Sequence, residues 1–145
     1  MQLCPRDRGE AVAARARALI GVQFRMQGRS AGEGLDCVGV AALAAGLANE
    51  RVPRNYCLRG TSLVALEAAL RGLGFEPAAG AAAPGDVVLF APGAAQLHLG
   101  IFTGAGFVHA DAGLRRVVER PLPPPWPVVG AWRFCDAKGA SEWQR

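Results

Sequence analysis

The sequence has few of the residues on which several kinds of chemistry depend. Its 145 residues include a single lysine, Lys138, and only two histidines, His98 and His109. Histidine is the usual general base near neutral pH, so histidine-dependent chemistry must use one of these two side chains. No apolar run approaches the length of about 18 residues that a membrane span needs, and the N-terminal segment lacks the apolar core of a signal peptide. We therefore expect no membrane partner, and synthesis in the cytoplasm without a signal peptide.

Cysteine pairs of the C-x-x-C type are also missing, which argues against a structural zinc knuckle. The count of four cysteines is compatible with two disulfides, but no export signal indicates an oxidising compartment. Most of these cysteines are expected to be small buried apolar residues. The four are Cys4, Cys37, Cys57 and Cys135.

The charge balance is modestly positive, and arginine supplies nearly all of the positive charge. The formal net charge is +4 and the sequence pI is about 9.3. Arginine favours planar anions such as carboxylate and phosphate, so an anionic partner is one interpretation. The other is a coding bias toward alanine, glycine and arginine. We favour the bias, and expect no nucleic-acid partner, because no arginine block is dense enough to form a nucleic-acid patch.

The order of the predicted elements indicates a single α+β domain over residues 1–145. The first half is helical, and the second half carries closely spaced strands, which favours an antiparallel sheet. Asp7 and Glu10 have the spacing of a capping box, and Asp36 is a favourable N-cap residue. The predicted helices span residues 7–20, 36–49 and 62–73, and the predicted strands span residues 86–90, 97–103, 107–110, 114–119 and 128–134.

Two segments between these elements are predicted to lack regular structure. Residues 21–35 are rich in glycine and polar side chains and are predicted to form a loop. Residues 121–127, Pro-Leu-Pro-Pro-Pro-Trp-Pro, match either a polyproline ligand for an SH3-type module or a stiff connector between two strands. We favour the connector because one short proline run inside a domain is a weak signal.

One cysteine and both histidines form a candidate catalytic group. Cys37 follows Asp36 at the predicted start of a helix, where unpaired N–H groups and the helix dipole favour a thiolate over a thiol. His98 and His109 lie on successive predicted strands, and a tight turn between these strands can bring the two side chains together. A cysteine, a histidine base and a third polar group that orients the imidazole are sufficient for cysteine acyl chemistry. Taken singly, each residue has an ordinary alternative as a packed cysteine or a hydrogen-bonded histidine.

The motifs around these residues resemble those of the NlpC-type cell-wall cysteine peptidases. Gly-Leu-Asp-Cys-Val-Gly at 34–39 resembles the family's D-C-S-G segment, and Pro-Gly-Asp-Val-Val-Leu-Phe at 84–90 resembles its P-G-D-hydrophobic strand. His-Leu-Gly-Ile-Phe-Thr-Gly at 98–104 is similar to its H-V-G-I-Y-x-G strand, and Phe-Val-His-Ala at 107–110 is similar to its F-I-H-A strand. The motifs occur in the family's order. Residues 21–25 and 130–134 extend the likeness to most of the chain.

This resemblance implies a papain-like α+β core, with the nucleophile at a helix N-terminus packed on an antiparallel sheet. It implies a catalytic triad of Cys37, His98 and His109, with no metal and no other cofactor. The implied substrates are peptidoglycan stem peptides, hydrolysed between D-glutamate and a diamino acid. The G-x-x-F-R-x-x-G-R pattern from Gly21 is similar to the branch found in phage tails and gene-transfer particles. That branch implies particle proteins as partners and delivery of the chain to the cell wall or periplasm by the particle.

The sequence departs from the family pattern at two positions near the nucleophile. Val38 stands where the family commonly has serine, and Phe24 stands where it often has a tyrosine whose hydroxyl faces the substrate. Asp36 matches an aspartate that in some members meets the free amine of the substrate, and its alternative role is the helix N-cap. Gln23 and Arg25 join Phe24 and Asp36 as candidate substrate-binding residues because they precede the nucleophile.

Three other functions remain open for the same residues. The triad can serve an amidase or acyltransferase in which an amine replaces water as the acceptor. A non-catalytic wall-binding or tail module would keep the fold, and the two departures are compatible with such drift, but retention of all three triad residues argues against it. A zinc site of Cys37, His98 and His109 would leave an open fourth position. Asp111 is the only acidic residue close to either histidine in sequence. This scarcity of acidic partners weakens the zinc alternative.

Overall fold

The computed structural model describes residues 6–47, Val52, Gly60 and residues 62–134 of the chain. The helices in this part of the chain are α1 (Arg6–Ala18), α2 (Cys37–Ala45) and α3 (Leu63–Gly72). The strands are β1 (Arg29–Ser30), β2 (Gly34–Leu35), β3 (Phe75–Pro77), β4 (Val87–Gly93), β5 (Gln96–Phe102), β6 (Gly106–Asp111), β7 (Arg116–Pro121) and β8 (Val128–Phe134). Cys4, Cys57 and Cys135, for which burial is expected, lie outside the described residues.

A 6-stranded antiparallel sheet forms the main layer, with its strands in the order β3-β8-β4-β5-β6-β7. Strands β4 to β7 are neighbours in sequence and in space, while β8 returns to pair with β4. The proline-rich segment 121–127 joins β7 to β8, as the connector interpretation predicts. A separate 2-stranded pair, β1 with β2, immediately precedes Asp36 and α2. The predicted α+β architecture, with helices first and an antiparallel sheet after them, is confirmed.

The predicted helix positions are confirmed, with differences at their ends. The helix predicted over 7–20 begins before Asp7, so this residue lies inside α1 and its predicted N-cap role is wrong. The helix predicted over 36–49 ends at Ala45, because Gly46 takes a left-handed backbone conformation with φ 75 and ψ 25. Within the described residues, no helix is long and apolar enough to span a bilayer.

The five predicted strands are present, each within a few residues of its predicted bounds. The sequence pattern does not predict β1, β2 or β3, because a two- or three-residue strand is too short to show alternation of apolar and polar side chains. The prediction of a plain loop over 21–35 is therefore incomplete, since β1 and β2 lie within it.

The alanine-rich helix α2 lies at the buried centre of the domain. It packs against α1 and also against β5 and β6 of the sheet. Small side chains such as Ala41 and Ala44 allow this close approach, and they share one apolar core with Leu99, Ile101 and Val108 of the two strands. The packing holds the first residue of α2 next to the strand that carries His98.

Glycines allow the loop before α2 to lie directly on the helix. A Cβ atom built on Gly39 would clash with the carbonyl oxygen of Gly28, and one built on Gly28 would clash with the carbonyl oxygen of Gly34. Gly28 and Gly39 therefore allow the chain's own backbone to lie against the start of α2. The β1–β2 pair is thereby fixed against the N-terminal turn of α2.

Candidate active site

Cys37 is the first residue of α2, and Asp36 caps this helix. Asp36 has an extended backbone, with φ -100 and ψ -173, and its Oδ1 accepts a hydrogen bond from the Gly39 backbone N–H at 2.9 Å. The N-cap prediction for Asp36 is confirmed. The Cys37 backbone N–H belongs to the first turn, where the helix itself supplies no acceptor.

The Asp36 carboxylate also ties the preceding loop to the start of α2. Its Oδ1 accepts a bond from Arg29 Nη1 at 2.7 Å, and its Oδ2 accepts the backbone N–H of Gln27 at 2.9 Å. The ion pair is buried, with Arg29 2% exposed and Asp36 8% exposed. Both carboxylate oxygens therefore have donors within the chain. Binding of a substrate amine by Asp36 stays a prediction, and it would require the carboxylate to share these bonds.

The half-buried Cys37 thiol has a raised pKa, which favours its neutral form at neutral pH. Burial, followed by the charge of Asp36, raises the pKa of Cys37 to about 12. The backbone amide of Leu99 and the guanidinium of Arg29 act in the opposite direction but do not outweigh burial. The expectation that the helix N-terminus favours a thiolate at this position is wrong, because desolvation and the carboxylate of the preceding residue raise the pKa of Cys37. Any chemistry at Cys37 must therefore include removal of its proton by a base.

The two histidines are brought together by the β5–β6 pair. His98 Nε2 lies 2.8 Å from His109 Nδ1, which is a hydrogen bond, and the two rings are perpendicular with their centroids 4.9 Å apart. His98 is half-buried and His109 is 1% exposed. His98 Nδ1 is therefore the ring nitrogen that remains available to other partners. The next residue, Leu99, directs its backbone N–H to the Cys37 sulfur. No hydrogen bond between the Cys37 thiol and His98 occurs in the described part of the chain.

Both imidazoles are neutral at neutral pH. Burial lowers the pKa of His98 to about 4, with a further lowering from the neighbouring His109. Burial likewise lowers the pKa of His109 to about 4; Asp111 raises it and Arg120 lowers it. A neutral imidazole next to a neutral thiol can act as a general base, which an imidazolium cannot.

An arginine–aspartate pair holds the far side of His109. Arg120 on β7 donates from Nε to His109 Nε2 at 3.0 Å and from Nη2 to Asp111 Oδ2 at 2.8 Å. Asp111 Oδ2 is itself 4.0 Å from His109 Nε2. Sequence reasoning placed Asp111 near His109 but missed Arg120. The pairing of β6 with β7 would have revealed Arg120. In this register Arg120 lies opposite Phe107, and therefore diagonally across from His109 on the same face of the sheet.

The connector between β7 and β8 supplies an aromatic side chain that sequence reasoning also missed. Trp126 packs edge-on against His98 and His109, with ring centroids 5.3 Å and 5.4 Å away. The guanidinium of Arg120 lies 5.5 Å from the Trp126 ring centroid, within the range of a cation–π contact. The connector therefore helps to fix the position of both imidazoles.

The three predicted substrate-binding residues of the loop lie beside the segment that leads into Cys37. Phe24 forms a parallel bridge with Leu35, and the Arg25 backbone N–H donates to the Leu35 carbonyl at 3.1 Å. The Phe24 side chain is half-buried against the core, whereas Gln23 and Arg25 are exposed. Substrate contact by these residues stays a prediction.

The alternative zinc site is not formed by the described residues. No group of three or more His, Cys, Asp or Glu side chains in that part of the chain is arranged to hold a metal ion. His98 Nε2 and His109 Nδ1 point at each other in a hydrogen bond and not at a common third point. The arrangement fits a base with its orienting partner better than a pair of metal ligands.

Because of the two neutral imidazoles, the free energy of unfolding is expected to fall as the pH drops from about 6.5 to about 4. In this window the unfolded chain binds protons at both histidines and the folded chain does not, so acid favours unfolding. Above pH 6.5 both histidines are neutral in both states and contribute no slope. Urea unfolding at a series of pH values measures the effect.

The His98→Gln/His109→Gln double variant is the control for this slope, because the chain has only two histidines. The variant is expected to show a flatter dependence of stability on pH between about 6.5 and 4.5. An unchanged slope in the double variant would show that the two imidazoles are not held neutral by the fold.

Comparison with known proteins identifies the fold that carries this site. No protein-family model matches the sequence, and no curated protein matches it. Solved structures do match. NlpC1 from Trichomonas vaginalis superposes with a TM-score of 0.66 at 20% identity, covering 92% of this chain and 46% of that protein. The P60 domain of the M. avium subspecies paratuberculosis antigen MAP1204 superposes with a TM-score of 0.57 at 20% identity, covering 90% of this chain and 97% of that one.

The chain has the fold of the NlpC/p60 domains. A third structure with this fold is the NlpC/p60 domain of the peptidoglycan hydrolase SagA, with a TM-score of 0.55 at 19% identity, covering 78% of this chain and 88% of that one. This chain spans less than half of the Trichomonas protein but most of the two separate NlpC/p60 domains. The papain-like fold predicted from the motifs is confirmed.

Proposed function

We propose that this chain is a cysteine peptidase that hydrolyses peptide bonds in peptidoglycan stem peptides. The observation that carries the proposal is the placement of Cys37 at the capped start of α2, packed on the strand whose His98 is hydrogen-bonded to His109. SagA, which shares the fold, is named a peptidoglycan hydrolase. The proposed triad is Cys37, His98 and His109.

In the proposed mechanism the thiol loses its proton as it attacks. His98 Nδ1 takes the proton while Cys37 Sγ bonds to the amide carbonyl carbon, which gives a tetrahedral oxyanion. The Cys37 backbone N–H helps to stabilise this oxyanion, and one donor of this kind typically contributes about 2.7–4 kcal/mol. The imidazolium of His98 then protonates the departing amine and leaves a thioester. Water, deprotonated by His98, releases the acid and restores the thiol.

His109 is proposed to orient His98 through the Nε2–Nδ1 hydrogen bond, so that Nδ1 stays directed toward the nucleophile. The raised pKa of Cys37 and the lowered pKa of His98 favour proton transfer during attack over a preformed thiolate–imidazolium pair. The expected rate is therefore more sensitive to the position of His98 than to the resting charge of Cys37.

The bond proposed for cleavage joins D-glutamate to a diamino acid. Its support is the resemblance of the Asp-Cys, Pro-Gly-Asp and two histidine motifs to the NlpC-type peptidases. Digestion of purified peptidoglycan, followed by mass spectrometry of the released muropeptides, identifies the new amine and acid termini. Equal release by the native protein and by the Cys37→Ala variant would refute the proposal. Addition of free amines to the digest separates hydrolysis from acyl transfer, since a transferase forms a new amide with them.

A non-catalytic wall-binding module is the second candidate, and it is favoured by the raised pKa of Cys37 and by Val38 in place of the family's serine. Muropeptide release separates the two candidates, because the raised pKa of Cys37 makes slow alkylation at neutral pH the expected result for either one. If the native protein binds purified peptidoglycan but releases no muropeptide, the binding module is the better description.

We also propose association with a phage tail or a gene-transfer particle, through which the chain would reach the cell wall or periplasm. The support is the G-x-x-F-R-x-x-G-R pattern that starts at Gly21, which resembles that branch of the family. Sedimentation of particles from the native host, followed by detection of the chain in the particle fraction, tests the association. Absence of the chain from purified particles would refute it.

A further inference from the structure

The contact between Arg120 and His109 determines where both imidazoles carry their protons. A guanidinium is a donor only and is not deprotonated in proteins. His109 Nε2, which receives Arg120 Nε at 3.0 Å, must therefore be a bare acceptor. A neutral His109 then carries its proton on Nδ1 and donates it to His98 Nε2, 2.8 Å away. A neutral His98 consequently carries its own proton on Nδ1.

This arrangement is the opposite of the one that the proposed mechanism needs. To accept the Cys37 proton, His98 Nδ1 must be bare, so the His98 proton must sit on Nε2 and be donated to His109 Nδ1. His109 then carries its proton on Nε2. This N–H would face the Nε–H of Arg120, so two hydrogen-bond donors would oppose each other. The contact seen here and a working base at His98 are therefore mutually exclusive.

Asp111 supplies the acceptor that the second arrangement requires. Its Oδ2 lies 4.0 Å from His109 Nε2 and is now bonded to Arg120 Nη2 at 2.8 Å. If Arg120 moves away from His109, a small rotation lets the Asp111 carboxylate accept the Nε2 proton. The Arg120 side chain is 38% exposed, so it can move without disturbing the core.

Resting on the proposed function, we propose that Arg120 is a positioning residue that holds the histidine pair in its inactive tautomer, and that transfer of His109 Nε2 from Arg120 to Asp111 switches the pair to the active one. The switch is neutral in protons: the His109 Nδ1 proton passes along the hydrogen bond to His98 Nε2, His98 Nδ1 releases its proton to water, and His109 Nε2 takes one proton from water. Among the described residues, the charged and titratable groups that face the pair are Cys37 on α2, Asp111 on β6 and Arg120 on β7. Trp126 of the connector contacts both rings and carries no charge.

Histidine nitrogens report their protonation directly in long-range ¹H–¹⁵N spectra, and the chain has only two histidines to assign. For the native protein near pH 7, we expect both rings to be protonated on Nδ1 and bare on Nε2. In Arg120→Met, the proton is expected to move to Nε2 on both rings. A native protein with the proton on His109 Nε2, or an Arg120→Met protein with unchanged tautomers, would overturn the proposal.

Thiol reactivity gives a second readout that needs no peptidoglycan. Alkylation of Cys37 near pH 7 is expected to be about 2- to 10-fold faster in Arg120→Met than in the native protein, which corresponds to one hydrogen bond. The gain should be lost in Arg120→Met/Asp111→Asn, which lacks the carboxylate acceptor. A purely structural role for Arg120 predicts instead that both variants react at the native rate or more slowly. If the tautomers shift as expected but no muropeptide is ever released, the proposed function fails while the tautomer assignment stands.

Discussion

Replacement of Cys37 by alanine is expected to lower kcat/KM for stem-peptide cleavage by at least about 10⁴-fold, the usual cost of removing a nucleophile from a catalytic group. The loss should be in kcat, because the covalent route disappears while the loop and the helix dipole remain to bind substrate. Any residual hydrolysis in Cys37→Ala would come from direct attack of water on the bound amide. Steady-state kinetics on a defined stem peptide measures the change.

Val38→Ser is the matched control for this loss. It alters the next residue of the same helical turn to the serine that the NlpC-type peptidases commonly carry, and it leaves the thiol in place. We expect Val38→Ser to keep most of the activity. A comparable loss of activity in Val38→Ser and Cys37→Ala would mean that the loss comes from disturbance of the helix start and not from removal of the sulfur.

Replacement of Asp36 by alanine is expected to lower the free energy of unfolding by about 3–5 kcal/mol, the cost of leaving a buried charge without its partner. The variant removes the acceptor of Arg29, Gln27 and Gly39 in one step. Arg29 is almost fully buried, so water is a poor replacement for the lost carboxylate. Urea unfolding compares the variant with the native protein.

The Arg29→Met/Asp36→Leu double variant removes both charges and is expected to recover part of the lost stability. This recovery separates the structural role of Asp36 from its proposed contact with a substrate amine. If Asp36→Ala keeps native stability and loses only activity, the carboxylate serves substrate binding and the capping account is wrong.

The sequence predicts the elements that carry the candidate site because each has a local signal. Asp36 is a capping residue before an alanine-rich helix, and the strands of both histidines alternate or follow glycine turns. These signals depend only on neighbouring residues in the sequence, so they can be recognised without knowledge of the tertiary structure. The capping prediction at Asp7 fails because the same residue types occur inside a helix as well as at its start.

The environment of the site could not be read from the sequence, because it is made by contacts between distant segments. Arg120 reaches His109 only through the β6–β7 register, and Trp126 reaches both rings only because its connector folds back on the sheet. The charge state of Cys37 is the clearest case. A helix N-terminus lowers the pKa of a thiol, but desolvation of Cys37 and the adjacent Asp36 raise it by more.

Intact-mass spectrometry of the protein, quenched in acid during turnover of a defined stem peptide, tests the central claim most directly. The account predicts an adduct equal in mass to the acyl fragment of the substrate, located by peptide mapping on the segment that contains Cys37. The adduct should be absent in Cys37→Ala and strongly reduced in His98→Ala, which lacks the base for attack. Cleavage of the stem peptide at the native rate with no adduct on Cys37, in a quench fast enough to trap a thioester, would contradict the account.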